Sequence, residues 1–101
     1  MKTDIQKING KIIATLVGEL DTAAASQVEK ELQPLFEAKG ENIVIECEGL
    51  EYISSSGLRI LLGILKNAIA NGDSVVMSHV NDDIKNVFRL TGFINLFKFE
   101  D

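Results

Sequence analysis

The chain has 101 residues, 46% hydrophobic and 25% charged, the balance of one globular domain with its own core rather than a disordered segment. Its formal net charge is −5 and its pI about 4.8. No Lys/Arg cluster supplies the basic patch that nucleic-acid or anionic-membrane binding needs, so neither partner is expected.

In chain order, the polar start Met1 to Lys7 has no apolar region of the signal-peptide kind. Asn9-Gly10 is a type I′ hairpin signal. It stands between a weakly patterned start with Ile5 and Ile8 and the β-branched run Lys11 to Val17, which predicts a hairpin whose first strand is an edge. Gly18-Glu19-Leu20-Asp21 is expected to break the strand, with Asp21 where a helix N-cap belongs. Ala24, Val28, Leu32, Leu35 and Phe36 recur at helical spacing, while Glu29, Lys30, Glu31 and Lys39 fall outward. Pro34 has no N–H to give and predicts a kink or break around Leu32 to Pro34. Gly40 is expected as a left-handed cap ending this helix.

Asn42 to Cys47 reads as a strand. Its unbroken Ile43-Val44-Ile45 suggests cover on both faces, and Cys47 reads as a small buried hydrophobe. As the one cysteine it excludes an intramolecular disulfide. After a turn at Glu48-Gly49, Leu50 to Ser56 reads as a loop whose three serines, with Gly57, open a second helix. One of Ser54, Ser55 and Ser56 supplies the cap. Leu58, Leu61, Leu62, Leu65, Ala68 and Ile69 form the helical stripe, and Ile60 and Ile64 add a second apolar side. The apolar run from Ile60 to Leu65 falls far short of the ~20 residues of a membrane span. Asn71-Gly72-Asp73 stops the helix, and Ser74 to Val80 is a strand. Asn81-Asp82-Asp83 caps a third helix carrying Ile84, Val87, Phe88 and Leu90, which Thr91-Gly92 ends. Phe93 to Leu96 is a short turn, and Phe97-Lys98-Phe99 a last short strand. A hairpin followed by alternating helices and strands is an α/β pattern that calls for a largely parallel sheet. Residues 1–101 are expected to form a single cytoplasmic domain, and no long exposed apolar stripe obliges a dimer, so a monomer is expected.

Catalytic chemistry finds little support. His79, at a strand end, is the one histidine, and nothing in the sequence brings it to a serine with an orienting acid. Gly-x-Ser-x-Gly is absent because Ser54 stands where its first glycine would be. There is no metal-ligand spacing and no phosphate-binding glycine loop. A phospho-accepting receiver domain would need an early acidic pair and an aspartate ending the central strand. The chain offers only Glu19 and Asp21 early on, and Glu46-Cys47 at the strand end. No cofactor and no enzyme activity are expected. The serine loop remains: a hydroxyl at a helix N-terminus is well placed to carry a phosphate of ~−1.5 to −2 charge, facing free N–H groups and the positive end of the helix.

These residues resemble the STAS family of bacterial anti-sigma-factor antagonists. The likeness lies in Gly18-Glu19-Leu20-Asp21, Ile43-Val44-Ile45-Glu46, Ile53-Ser54-Ser55-Ser56-Gly57-Leu58 and Val87-Phe88-Arg89-Leu90-Thr91-Gly92-Phe93 with Leu96-Phe97. The resemblance implies a small mixed β-sheet flanked by helices and a partner-switching role. The unmodified protein would bind an anti-sigma factor that is also a serine kinase, and a serine phosphatase would reverse the modification. The family's Asp-Ser-Ser-Gly or Asp-Thr-Ser-Gly pattern places the phospho-acceptor at Ser56, with Ser55 as second choice. Ser54 stands where the family carries its acid. The implied partner surface comprises Glu19, Asp21 and Thr22 with Tyr52, Ser54, Ser55, Gly57 and Arg59. Arg59, one turn into the helix, is open to an acidic partner or to solvent alone. The alternative is a STAS interaction module, never phosphorylated, in a larger signalling or lipid-transport assembly.

Overall fold

The computed structural model describes residues 1–100. The chain runs β1 (Lys2–Ile8), β2 (Lys11–Leu20), α1 (Thr22–Glu31), α2 (Gln33–Phe36), β3 (Asn42–Glu46), β4 (Leu50–Ile53), α3 (Ser55–Ala70), β5 (Val75–Ser78), α4 (Asp82–Thr91), a 3-10 turn (Phe93–Asn95) and β6 (Lys98–Glu100). The six strands form one mixed sheet in the order β1-β2-β3-β5-β6, with β4 paired to β2 off that path. The hairpin pair β1–β2 is antiparallel, and the other four pairings are parallel. The hairpin turns as its sequence asks. Asn9 at φ 49° and Gly10 at φ 79° occupy the two left-handed positions of a type I′ turn.

Alternate residues of the strands make the core. Ile12, Ala14 and Leu16 on β2, Ile43 and Ile45 on β3, and Val75 and Met77 on β5 are buried in one cluster. Val28 of α1, Leu32, Leu35 of α2, Leu61 and Ile64 of α3, and Ile84 and Phe88 of α4 belong to the same cluster. Phe88 meets Phe97 and Phe99 edge-on, with ring centroids 5.5 and 5.4 Å apart, a favoured aromatic geometry. Cys47 is fully buried, as its type suggests.

Five expectations change. First, β2 does not break at Gly18. Gly18 takes φ 107°, the register shifts between Gly18 and Glu19, and the strand continues to Leu20. That irregularity lets the end of β2 pair with Leu50–Ile53, which is a strand rather than part of a loop. The join is close, because the Gly18 amide donates to the Gly49 carbonyl at 2.9 Å. Second, the break at Leu32 occurs as Pro34 predicts, but the helical chain ends at Phe36. Gly40, at φ 70°, turns the chain into β3 instead of capping a helix. Third, β3 is not covered equally on both faces. Ile43 and Ile45 are buried while Val44 is half-buried, in a row that runs Gln6, Ile13, Val44, Val76 and Lys98 across the sheet. Fourth, β5 is shorter than expected, because His79 adopts φ 55° directly after Ser78. Fifth, Ile69 and Leu90 leave the buried stripes and are 66% and 80% exposed. Leu90 follows Phe88 by two residues, about 200° around a helix, and so points away from the face Ile84 and Phe88 define.

Candidate functional site

The site begins with two strand ends. Glu19 lies opposite Tyr52 and Leu20 opposite Ile53 where β2 and β4 run in parallel. Each strand passes directly into a helix through a capping residue. Asp21 holds an extended conformation and its carboxylate accepts from the Ala24 amide at 2.8 Å. Ser54, at φ −86° and ψ 170°, accepts from the Gly57 amide at 3.1 Å through Oγ. Both are side-chain N-caps that satisfy an amide the helix itself leaves unpaired. The Ser54 amide donates to the Leu20 carbonyl at 2.8 Å, so the starts of α1 and α3 are tied together through backbone.

This geometry separates the three serines. Ser54 is 7% exposed and committed to the cap. Ser55 and Ser56 are the first two residues of α3; Ser55 is exposed and Ser56 half-buried. Gly57 is buried, and a Cβ there would lie 2.7 Å from Leu20 Cγ and 2.9 Å from Ile53 Cγ1. Only a residue without a side chain lets the first turn of α3 sit this close to the strand ends.

Between α1 and α3 lies an open groove of about 360 Å³. Thr22, Ala25, Ser26 and Glu29 form one wall, and Ser56, Arg59 and Ile60 the other. The structure thus brings Thr22, Ser56 and Arg59 together. Glu19 and Tyr52 are exposed on the neighbouring strand ends, with Tyr52 49% exposed. Asp21 is half-buried and Ser55 is exposed at the helix start but is not among the groove residues. Ser54 and Gly57 are buried and shape this surface from beneath. Sequence reasoning did not single out Ser26 and Glu29. Their signal is the spacing Thr22, Ser26, Glu29, a polar stripe at helical intervals of four and three.

His79 lies elsewhere. Its Nδ1 is 2.9 Å from Glu46 Oε1 and 3.1 Å from Ser78 Oγ. The acid and the hydroxyl meet the same ring nitrogen, whereas a catalytic relay places them on opposite nitrogens. The Cys47 thiol is pushed up from 9.0 to about 12, mainly by burial and further by the Glu46 charge, which leaves it inert as a nucleophile. Among the described residues no group of three or more His, Cys, Asp or Glu side chains could hold a metal ion. No helix among them is long and apolar enough to cross a membrane.

The STAS domain family model matches residues 2–101. The Bordetella bronchiseptica protein BtrV, named for an anti-sigma factor antagonist role, is 33% identical over 97 residues, covering 96% of this chain and 84% of its own. The anti-sigma-B factor antagonist of Staphylococcus aureus is 30% identical over 79 residues, covering 78% and 73%. Solved structures of SpoIIAA, an anti-sigma factor antagonist and Bacillus cell fate determinant, share the fold. The unphosphorylated form matches with a TM-score of 0.75 at 19% identity, over 99% of this chain and 88% of that one. The phosphorylated form matches at 0.73 and 20% identity, over 99% and 92%.

Proposed function

The chain belongs to the STAS domain family, and we propose that within it this protein is an anti-sigma factor antagonist that works by partner switching, with Ser56 as its phospho-acceptor. It acts as a regulatory binding protein of the cytoplasm rather than as an enzyme. In the unmodified state it binds an anti-sigma factor that is also a serine kinase, and so frees the sigma factor. The kinase moves the γ-phosphoryl group of ATP to Ser56 Oγ, the hydroxyl proton leaves to a kinase base, and ADP departs. A serine phosphatase hydrolyses the phosphoester and resets the switch.

The observation that carries this reading is the division of labour among the serines. Ser54 is buried in the cap, whereas Ser56 stands in the wall of an open groove. A phosphate on Ser56 meets the N-terminus of α3, which favours negative charge, so the fold tolerates it. A partner packed over the same loop must desolvate that charge and loses affinity. The names of the two relatives support the role, and the fold has been solved in a phosphorylated and an unphosphorylated SpoIIAA.

The test is intact mass after incubation with ATP and the candidate kinase. A gain of one phosphate that disappears in Ser56→Ala supports the switch. No gain with a kinase shown to be active overturns it and favours the second reading, a constitutive STAS interaction module. That reading draws on Ser54, an uncharged residue where the family pattern carries an acid.

A further inference from the structure

Arg59 lies three residues after Ser56 on α3, so the two side chains rise on one face of the helix. Both line the groove against α1. Arg59 is exposed and takes part in neither of the close acid–base contacts among the described residues, which join Lys7 to Glu41 and the His79 ring to Glu46. Across the groove stand two hydroxyls one turn apart, Thr22 and Ser26. Thr22 and Ser56 lie in the first turns of helices that start from paired strand ends. Glu29 stands two turns along α1, and Arg59 only one turn along α3. The groove therefore offers one cation and two hydroxyl donors alongside Ser56, with Glu29 the one carboxylate in its lining.

We infer that this groove is an intramolecular seat for the phosphate of a modified Ser56, with Arg59 as its cation and the Thr22 and Ser26 hydroxyls as donors from the facing helix. This rests on the reading of Ser56 as the acceptor. A phosphoserine presents three strong acceptor oxygens, and a guanidinium fork binds two of them in plane. The seat changes what the modification does. The phosphate is partly neutralised and ties α1 to α3, so a partner meets a closed groove rather than a projecting dianion. A phosphatase must first lift the group out. The charges that face the phosphate are Arg59 from α3, Glu29 from α1, and Glu19 and Asp21 from the corner between β2 and α1. Asp21 is committed to the Ala24 amide. Arg59 favours the doubly charged phosphate and the three carboxylates oppose it.

The full chain carrying phosphoserine at position 56, installed by chemical ligation, is titrated by ³¹P NMR beside the same chain with Arg59→Gln or Arg59→Lys. The second ionisation of the phosphate is expected about half a pH unit lower with Arg59 than with Gln, the size of a partly exposed ion pair. Lys is expected to recover part of the shift, since it supplies the charge without the fork. A non-specific phosphatase is expected to remove the group several-fold faster from the Arg59→Gln chain, and Ser26→Ala is expected to raise that rate as well. Equal titration of the wild-type and Arg59→Gln chains overturns the seat, as does unfolding of the phosphorylated wild-type chain. Because the phosphate is placed chemically, these outcomes do not depend on any kinase. Failure of the kinase reading shows separately, as the missing mass gain.

Discussion

Gly57 sits so close over Leu20 that a Cβ added to it would lie 2.7 Å from Leu20 Cγ. The serine-rich start of α3 is thereby pressed onto the end of β2, one residue before Asp21 opens α1. Ser56 and the facing wall of its groove are thus held in one corner of the fold.

Gly57→Ala is expected to destabilise the fold by about 1–2 kcal/mol. Overpacking against Leu20 and Ile53 costs about 1–3 kcal/mol, and the better helix propensity of Ala returns up to about 1. Urea denaturation measures it, and a variant as stable as wild type refutes the close approach.

Removing the cap hydroxyl has a different signature. Ser54→Ala leaves the buried Gly57 amide without its acceptor and is expected to cost about 1 kcal/mol. Ser55→Ala, on an exposed residue, is expected to change stability by less than about 0.5 kcal/mol. Equal losses in the two variants contradict the assignment of the cap to Ser54. Ser54→Asp keeps an acceptor at the cap and is expected to retain most of the stability.

Ser56→Asp is expected to weaken binding of the anti-sigma partner at least tenfold, about 1.4 kcal/mol, while the thermal midpoint moves little. Titration calorimetry beside a melting curve separates the two effects. A collapse of the melt with binding lost in proportion identifies Ser56 as structural instead.

Cys47 predicts a pH dependence. Its thiol ionises near 9.0 when unfolded and is pushed up to about 12 in the fold, first by burial and then by Glu46. Below pH 9 both states hold the proton and the group is neutral to stability. Between pH 9 and about 12 the unfolded chain gives up the proton while the folded chain keeps it. Stability therefore falls with rising pH across that window. Cys47→Ala is expected to flatten that part of the profile, at the cost of a small cavity. At pH 8 the thiol is expected to react with alkylating reagents only as fast as the protein opens.

Much of this architecture was legible because it is written over short distances. Asn9-Gly10 sets the hairpin, Asp21 and Asn81 cap the helices they precede, Pro34 breaks the helix at Leu32, and Gly92 ends α4 in the left-handed conformation. Each signal acts on amides within about four residues of itself, so the sequence states it outright. The resemblance to STAS proteins implies an acceptor at Ser56 in the same way, from the contiguous run Ser54-Ser55-Ser56-Gly57.

Tertiary structure alone decided the rest. Leu50–Ile53 is a strand because the irregularity at Gly18 lets the end of β2 receive it, a pairing across more than thirty residues that no local propensity encodes. Which serine caps α3 was settled by where that strand delivers the chain, placing Ser54 against the Leu20 carbonyl and the Gly57 amide. The groove that joins Ser56 and Arg59 to Thr22, Ser26 and Glu29 exists only when α1 and α3 pack side by side. By itself the sequence determined most of the elements, the caps at Asp21 and Asn81, and the serine run that opens α3. Which side chains share a surface depends on the positions of two helices launched from paired strands, and that is a property of the assembled sheet.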